Sequence, residues 1–310
     1  MHDVISTTGL TKHFGTTVAV RDLDLRVEAS EIFGFIGPNG AGKTTTIRLL
    51  LDLLRPTSGT ASIFGLDTRR DAAQIHRRIG YLPSSPTLVP GLSAGAFLDW
   101  MARLREVEAR AQIEMLAERL GLDLERRIGE LSTGNRQKVG LVQALMIQPD
   151  LLVLDEPTSS LDPVVQQEVR SLLRERAERG VTVFLSSHVL SEIETVCDRV
   201  ATIVDGRLRR VDRIADLQAA PSRRLRIVVA GRTVPRLAEL PTISDLQASY
   251  DDRLDRTIVS CGLIGTPEPV LHALRDHEVI DLLSEPHSLE EVFLESFEDR
   301  HTSSEVRRVA

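Results

Sequence analysis

The stretch GPNGAGKTT, residues 37–45, constrains this chain more than any other feature of it. Gly37, Pro38, Asn39, Gly40, Ala41, Gly42, Lys43 and Thr44 fit the spacing G-x-x-x-x-G-K-[ST], between a short apolar run, EIFGFI, and a helical pattern, TTTIRLLLDLL. A strand, a tight loop and a helix must follow one another here. The glycines let the backbone curl so that successive N–H groups point inward at phosphate oxygens. The helix that starts near Thr44, with Thr45 in its first turn, adds the positive end of its dipole. Lys43 supplies a flexible point charge for the β- and γ-phosphates, and the Thr44 hydroxyl is a magnesium ligand. The loop describes a nucleoside triphosphate site.

A second element fits the same chemistry. LLVLDEP, residues 151–157, is a continuous apolar run closed by two carboxylates, the pattern of a central strand buried on both faces. Asp155 at its carboxyl end suits magnesium held through water, and Glu156 can orient or deprotonate an attacking water. His188 ends the next strand, VTVFLSSH, on the ligand edge of the sheet, where it can bond the γ-phosphate or the water.

Strands alternating with helices along the chain argue for a doubly wound α/β sheet. The segment 86–130 reads as mainly helical, and VVQQEVRSLLRERAERG as a helix closed by Gly180. RVATIVDGRLRRVD is a hairpin pattern turning at Asp205-Gly206. Beyond about 217 the character changes. A strand-like RLRIVVAG, a helical stretch near 266–275 and a closing helix read as a small α+β domain over 217–300, then a polar tail at 301–310. The closing helix has Ser288 and Glu291 in capping-box spacing and Leu289, Val292, Phe293 and Phe297 on one face. Across 310 residues the net charge is −7, with no basic footprint, so nucleic acid is not the expected partner. Cys197 and Cys261 match no metal or redox spacing and read as small buried hydrophobes. No apolar run approaches the roughly 18–20 residues a membrane span needs, and the N-terminus lacks a signal-peptide pattern. The chain is expected to stay in the cytoplasm.

Together these motifs resemble the nucleotide-binding subunit of an ATP-binding cassette (ABC) transporter over roughly residues 1–215. The family's LSGGQ signature reads here as Leu131-Ser132-Thr133-Gly134-Asn135, and the DE strand, the SSLD turn at Ser159–Asp162 and His188 follow in order. The resemblance implies a P-loop NTPase cassette over 1–216, with a RecA-like core sheet and a helical subdomain at about 86–148. It implies ATP and Mg2+ as ligands, and Phe14 stacked on adenine. It also implies a head-to-tail dimer in which Ser132 and Gly134 close over the ATP of a second copy, with Asp162 at the seam. A signature helix start supplies the anion donors that a phosphate loop alone leaves missing.

The chain departs from the family in two places. Thr133 and Asn135 replace a glycine and a glutamine of the commonest signature, while Ser132 and Gly134 are kept. Ser84, in IGYLPSSP, stands where the family has a glutamine that reaches magnesium, and serine is too short to span that distance directly, which leaves a water-bridged contact or a lost one. IGYLP, the GNRQK run and the C-terminal SLEEVFLE resemble the ATPase subunits of ABC-2-type, drug-resistance-like exporters. Such subunits work on a separate permease at the inner face of the cell membrane. The alternative is a soluble ABC ATPase acting on ribosomes, but those proteins usually fuse two cassettes and each motif occurs once here. Chromosome-organising ATPases insert long coiled coils before the signature, and no sustained heptads occur.

Overall fold

The structure is a computed structural model and describes residues 3–219 and 222–286. The chain forms two compact units, Met1–Ile214 and Ala215–Ala310.

The first unit is built on a six-stranded sheet. Its order is Arg207–Arg213, Arg199–Val204, Ile32–Ile36, Thr182–Ser187, Leu151–Asp155 and Ile79–Leu82. Neighbours are parallel except in the Arg199–Val204/Arg207–Arg213 hairpin. Its turn carries Asp205 and Gly206 at φ 47° and 74°, the left-handed pair a two-residue hairpin needs. Every residue of Ile32–Ile36, Leu151–Asp155 and Thr182–Ser187 is buried. Continuous apolar runs are what strands covered on both faces require. The parallel strands deliver residues 37, 83, 156 and 188 to the same carboxyl edge.

Three further strands lie before strand Ile32–Ile36, where the sequence reading assigns no element. Asp3–Phe14, Thr17–Leu23 and Arg26–Glu28 join Ser58–Ile63 and Leu66–Asp67 in an antiparallel sheet. Leu10, Val27 and Ile63 from that sheet share one buried cluster with Phe33, Phe35 and Phe184 of the parallel sheet. The Phe184 ring lies 6.0 Å from Phe33 and 5.5 Å from Phe35, centroid to centroid.

Helices Ala94–Leu104, Arg110–Leu120 and Thr133–Leu145 carry the middle of the unit. Ser93 caps the first of them, accepting from Ala96 N at 3.2 Å. The helix after the phosphate loop spans Lys43–Leu50, shorter than its apolar pattern implies. The backbone reverses at Asp52, φ 51°, and Leu53 and Leu54 N–H close back on Arg48 O at 2.9 and 3.1 Å. Leu54 packs on the core all the same, so the apolar run continues beyond the helix. Helix Pro163–Glu178 starts with proline in its first turn and stops at Gly180, φ 89°. Among the described residues no helix is long and apolar enough to cross a membrane.

The second unit is a four-stranded antiparallel sheet in the order Ile243–Asp251, Arg256–Ile264, Ser222–Ala230 and Val279–Pro286. Arg256–Ile264 alternates buried with half-buried residues along most of its length. Leu225, Ile227, Val229, Val259 and Leu263 pack with Val270 and Leu274, contributed by and next to helix Glu268–Ala273. Cys197 and Cys261 are free and buried in their respective units, and burial pushes both thiols up. The capping box at Ser288 and Glu291, the apolar face through Phe297 and the tail at 301–310 lie outside the described residues.

Candidate functional site

The phosphate loop leaves strand Ile32–Ile36 and enters its helix through Gly42, at φ 109°. No side chain fits there, since a Cβ would lie 2.5 Å from the Ala19 carbonyl. The hairpin turn braces the loop, because Gly206 N–H donates to Ala41 O at 2.9 Å, and Gly206 O in turn accepts from Arg21 N–H at 2.7 Å. Asn39 and Gly40 form the exposed crest, and Thr44 and Thr45 are half-buried. Lys43 is buried and folds back over the loop. Its ammonium donates to Gly37 O at 2.7 Å and to Pro38 O at 3.4 Å. An isolated buried cation is costly, and the counter-charge is Glu156 Oε1 at 3.5 Å.

Asp155 is fully buried and accepts two hydroxyl hydrogen bonds, from Thr44 Oγ1 at 2.8 Å and from Ser186 Oγ at 2.6 Å. The Thr44 hydroxyl and Asp155 carboxylate are thus adjacent hard oxygens beside the phosphate loop, the donor type magnesium takes. Burial, with the Asp155 charge second, pushes the Tyr81 phenol up. Glu156 adopts a left-handed φ of 54°, an uncommon conformation for a residue with a side chain. Its N–H donates to Ser186 O and Oγ, both at 3.2 Å. Its Oε2 lies 2.7 Å from His188 Nδ1 on the exposed side. Strand ends and loop therefore bring Lys43, Thr44, Asp155, Glu156 and His188 into one constellation. A carboxylate held between an ammonium and an imidazole, next to the phosphate loop, has the parts for activating water against a phosphoryl group.

Other expected residues lie apart from it. Ser132 caps helix Thr133–Leu145, its hydroxyl oxygen accepting from Asn135 N–H at 3.3 Å, so its O–H proton remains available. Ser132 and Thr133 are exposed. Gly134 lies against the chain's own SSLD turn, where a Cβ would approach Ser160 O to 2.5 Å. Among the described residues no hydrogen bond joins 131–135 to the phosphate loop. Asp162 caps helix Pro163–Glu178 through Val164 and Val165 N–H, at 3.1 and 3.0 Å. Phe14 is exposed at the end of strand Asp3–Phe14, with Lys12 Nζ 5.1 Å from its ring centroid. Ser84 is exposed, two residues past strand Ile79–Leu82.

Sequence reading missed three contributors. Ser186 carries only a generic strand-end signal, and Gly206 was read as a hairpin residue alone. Gln137, in the signature helix, donates through Nε2 to Glu156 O at 3.2 Å and Pro157 O at 3.4 Å. A glutamine buried among Val139, Gly140 and Leu141 was the available signal for it.

A family model described as ABC transporter matches residues 20–159. The chain is 42% identical over 211 residues to the bacitracin transport ATP-binding protein BcrA of Bacillus licheniformis, covering 67% of this chain and 69% of that one. It is 35% identical over 301 residues to the daunorubicin/doxorubicin resistance ATP-binding protein DrrA of Streptomyces peucetius, covering 94% and 91%. This second likeness runs past Ile214 into the second unit. Among solved structures, the ATP-binding subunit of an ABC transporter superposes with a TM-score of 0.64 at 27% identity, covering 69% of this chain and 92% of that one. A dimeric ATP-binding cassette in a post-hydrolysis state, bound to ADP and Pi, shares the fold with a TM-score of 0.63 at 23% identity, covering 68% and 98%. Similar over nearly its whole length to one ATP-binding protein of this kind and over two thirds of it to another, the chain belongs to the ABC transporter family, in which it is an ATP-hydrolysing subunit.

Proposed function

We propose that two copies of this chain close head to tail over two ATP molecules and drive a separate membrane permease of the exporter type, to which they bind at the inner face of the membrane. The observation that carries this reading is the division of phosphate-binding parts within one chain. The loop at 37–44 cradles one side of a triphosphate, while at the signature helix start Ser132 is exposed, Gly134 lies against the chain's own Ser160, and among the described residues neither bonds to that loop. Each helix start then completes the other copy's site, with Asp162 at the seam. Relatives whose names refer to bacitracin transport and to daunorubicin/doxorubicin resistance support the exporter reading, and the reach of the DrrA likeness into the second unit supports an ABC-2-type arrangement.

In the assembled site, Phe14 stacks on adenine, while the loop N–H groups and Lys43 hold the β- and γ-phosphates. Thr44 Oγ1 and Asp155 would hold magnesium, and a Ser84 contact to it would be water-bridged or lost. Held there, the ion would supply neutralisation of phosphate charge. Glu156 accepts a proton from water as the water oxygen bonds to the γ-phosphorus, and the bond to the β-phosphate bridging oxygen breaks, leaving ADP and phosphate. His188, 2.7 Å from Glu156, positions the γ-phosphate or the water. Hydrolysis removes the ligand that joins the two copies, giving a two-state clamp.

Glu156→Gln tests both halves of this reading. It is expected to keep ATP binding and to slow phosphate release by about 10²–10⁴, the usual worth of a positioned base. Near-normal turnover would remove Glu156 from that role. The same variant is expected to dimerise in saturating ATP, and a monomer by light scattering would remove the trans role of LSTGN.

A further inference from the structure

We propose that Gln137 is a positioning residue for hydrolysis. Its amide holds Glu156 in its left-handed conformation and ties that carboxylate to the helix whose start is offered to the second copy.

Gln137 is only 4% exposed, and a buried primary amide is normally fixed by hydrogen bonds. Its Nε2 donates to two main-chain carbonyls, Glu156 O at 3.2 Å and Pro157 O at 3.4 Å. Only the NH2 end of the amide can face two acceptors, so chemistry settles its orientation. The segment it grips cannot be held by a regular ladder. Pro157 has no N–H, and φ 54° at Glu156 breaks the strand. Glu156 N–H goes to Ser186, and Glu156 O also accepts from Ser159 N–H at 3.2 Å. Gln137 supplies the grip on the far side of the Glu156–Pro157 peptide. Returning Glu156 to extended backbone would swing its carboxylate away from Lys43 and His188, the two groups that now fix its oxygens at 3.5 and 2.7 Å.

One turn before Gln137 in the same helix, Gly134 lies against Ser160 O. Helix start and the Glu156–Ser160 turn therefore meet at two points. Given the dimer reading above, closure of Ser132 and Gly134 on a second copy's ATP pulls on the segment that holds this chain's own base.

The test uses the full chain with magnesium and ATP. Gln137→Met keeps side-chain length and removes the donor, and it is expected to lower kcat about tenfold through a small displacement of the base, with KM and ADP affinity by calorimetry within about twofold of wild type. In the Glu156→Gln background the same substitution is expected to change residual turnover by less than about twofold, because the group it positions is gone. A tenfold loss that persists in that background, or a Gln137→Met rate equal to wild type, overturns the proposal. Should Gln137→Met fail to melt cooperatively, Gln137→Glu carries the test. It points an acceptor at two carbonyls and is expected to be slower still, and a wild-type rate would overturn the proposal. Failure of the catalytic reading itself registers separately, as near-normal turnover of Glu156→Gln alone.

Discussion

The first unit contains the two helix starts proposed above to meet phosphate, and they are built in opposite ways. At the phosphate loop the polar side chains are already engaged, Lys43 with Gly37 O and Glu156 and Thr44 with Asp155, which Ser186 also holds, and Ala41 O is taken by Gly206. At the signature, Ser132 and Thr133 are exposed, and the described side-chain bond is the local cap to Asn135. The loop brings its own cation, while the signature brings only dipoles and a hydroxyl. A preorganised half can bind a triphosphate with little rearrangement. An unfinished half adds attraction only when a charge is brought to it, which is the property wanted of a surface that joins on one ligand and parts on another.

Lys43→Ala strikes the finished half and should have the largest effect in this contrast. Losing a charge-assisted hydrogen bond of roughly 1.5–3 kcal/mol is expected to weaken nucleotide binding by about 10²-fold, read by titrating the dilute chain with a fluorescent ATP analogue. Binding within a few-fold of wild type would mean the loop N–H groups alone hold the phosphates. Gly134→Ala strikes the unfinished half. The added carbon would meet Ser160 O at 2.5 Å, so the helix start or the SSLD turn must shift. Affinity in the dilute chain is expected to stay within about twofold while turnover at high protein concentration falls about tenfold, as small misplacements in a site do. Equal losses in both measurements would erase the distinction between the halves.

The two halves also differ in how much of them can be read from residues alone. The loop is legible because its spacing, a buried strand before it and a helix after it each follow from local backbone needs. LLVLD and TVFLSS are legible as strands because burial on both faces leaves only apolar or small residues. Ser132 and Asp162 both cap the helices that follow them, positions where a short oxygen-bearing side chain has a local use. What escapes is settled by pairing across distance. Ser186 meets Asp155 31 positions away and Gln137 meets Glu156 19 positions away, and neither residue has a spacing that announces its partner. The left-handed backbone at Glu156 is likewise invisible, because side-chain periodicity does not register the sign of φ. The same blindness extended the Lys43–Leu50 helix across Asp52. The antiparallel strands before residue 31 escaped because they are short or partly exposed and carry mixed polarity.

The smallest expected effect concerns the join between the helical layer and the core. Arg119, near the end of helix Arg110–Leu120, reaches helix Pro163–Glu178, where its Nη atoms grip the Glu175 carboxylate at 2.6 and 2.8 Å and its Nε bonds Glu168. These groups are partly exposed, so water screens them. Arg119→Met is expected to remove roughly 0.5–1 kcal/mol at neutral pH, lowering the melting midpoint by about 1–3 °C. The Arg119 hydrogen bonds hold the Glu175 carboxyl below its ordinary range. A carboxylate whose folded pKa is depressed contributes stability above its unfolded pKa and loses that contribution as pH falls through the folded one. The gap between wild type and Arg119→Met should therefore be full at pH 7 and close below the ordinary carboxylate range, as read by thermal melts across that window. A gap that is absent at pH 7, or that widens on acidification, would mean the clasp does not join the layers. Gln137 and the close contact of Gly134 with Ser160 would then be what couples the unfinished half to the finished one.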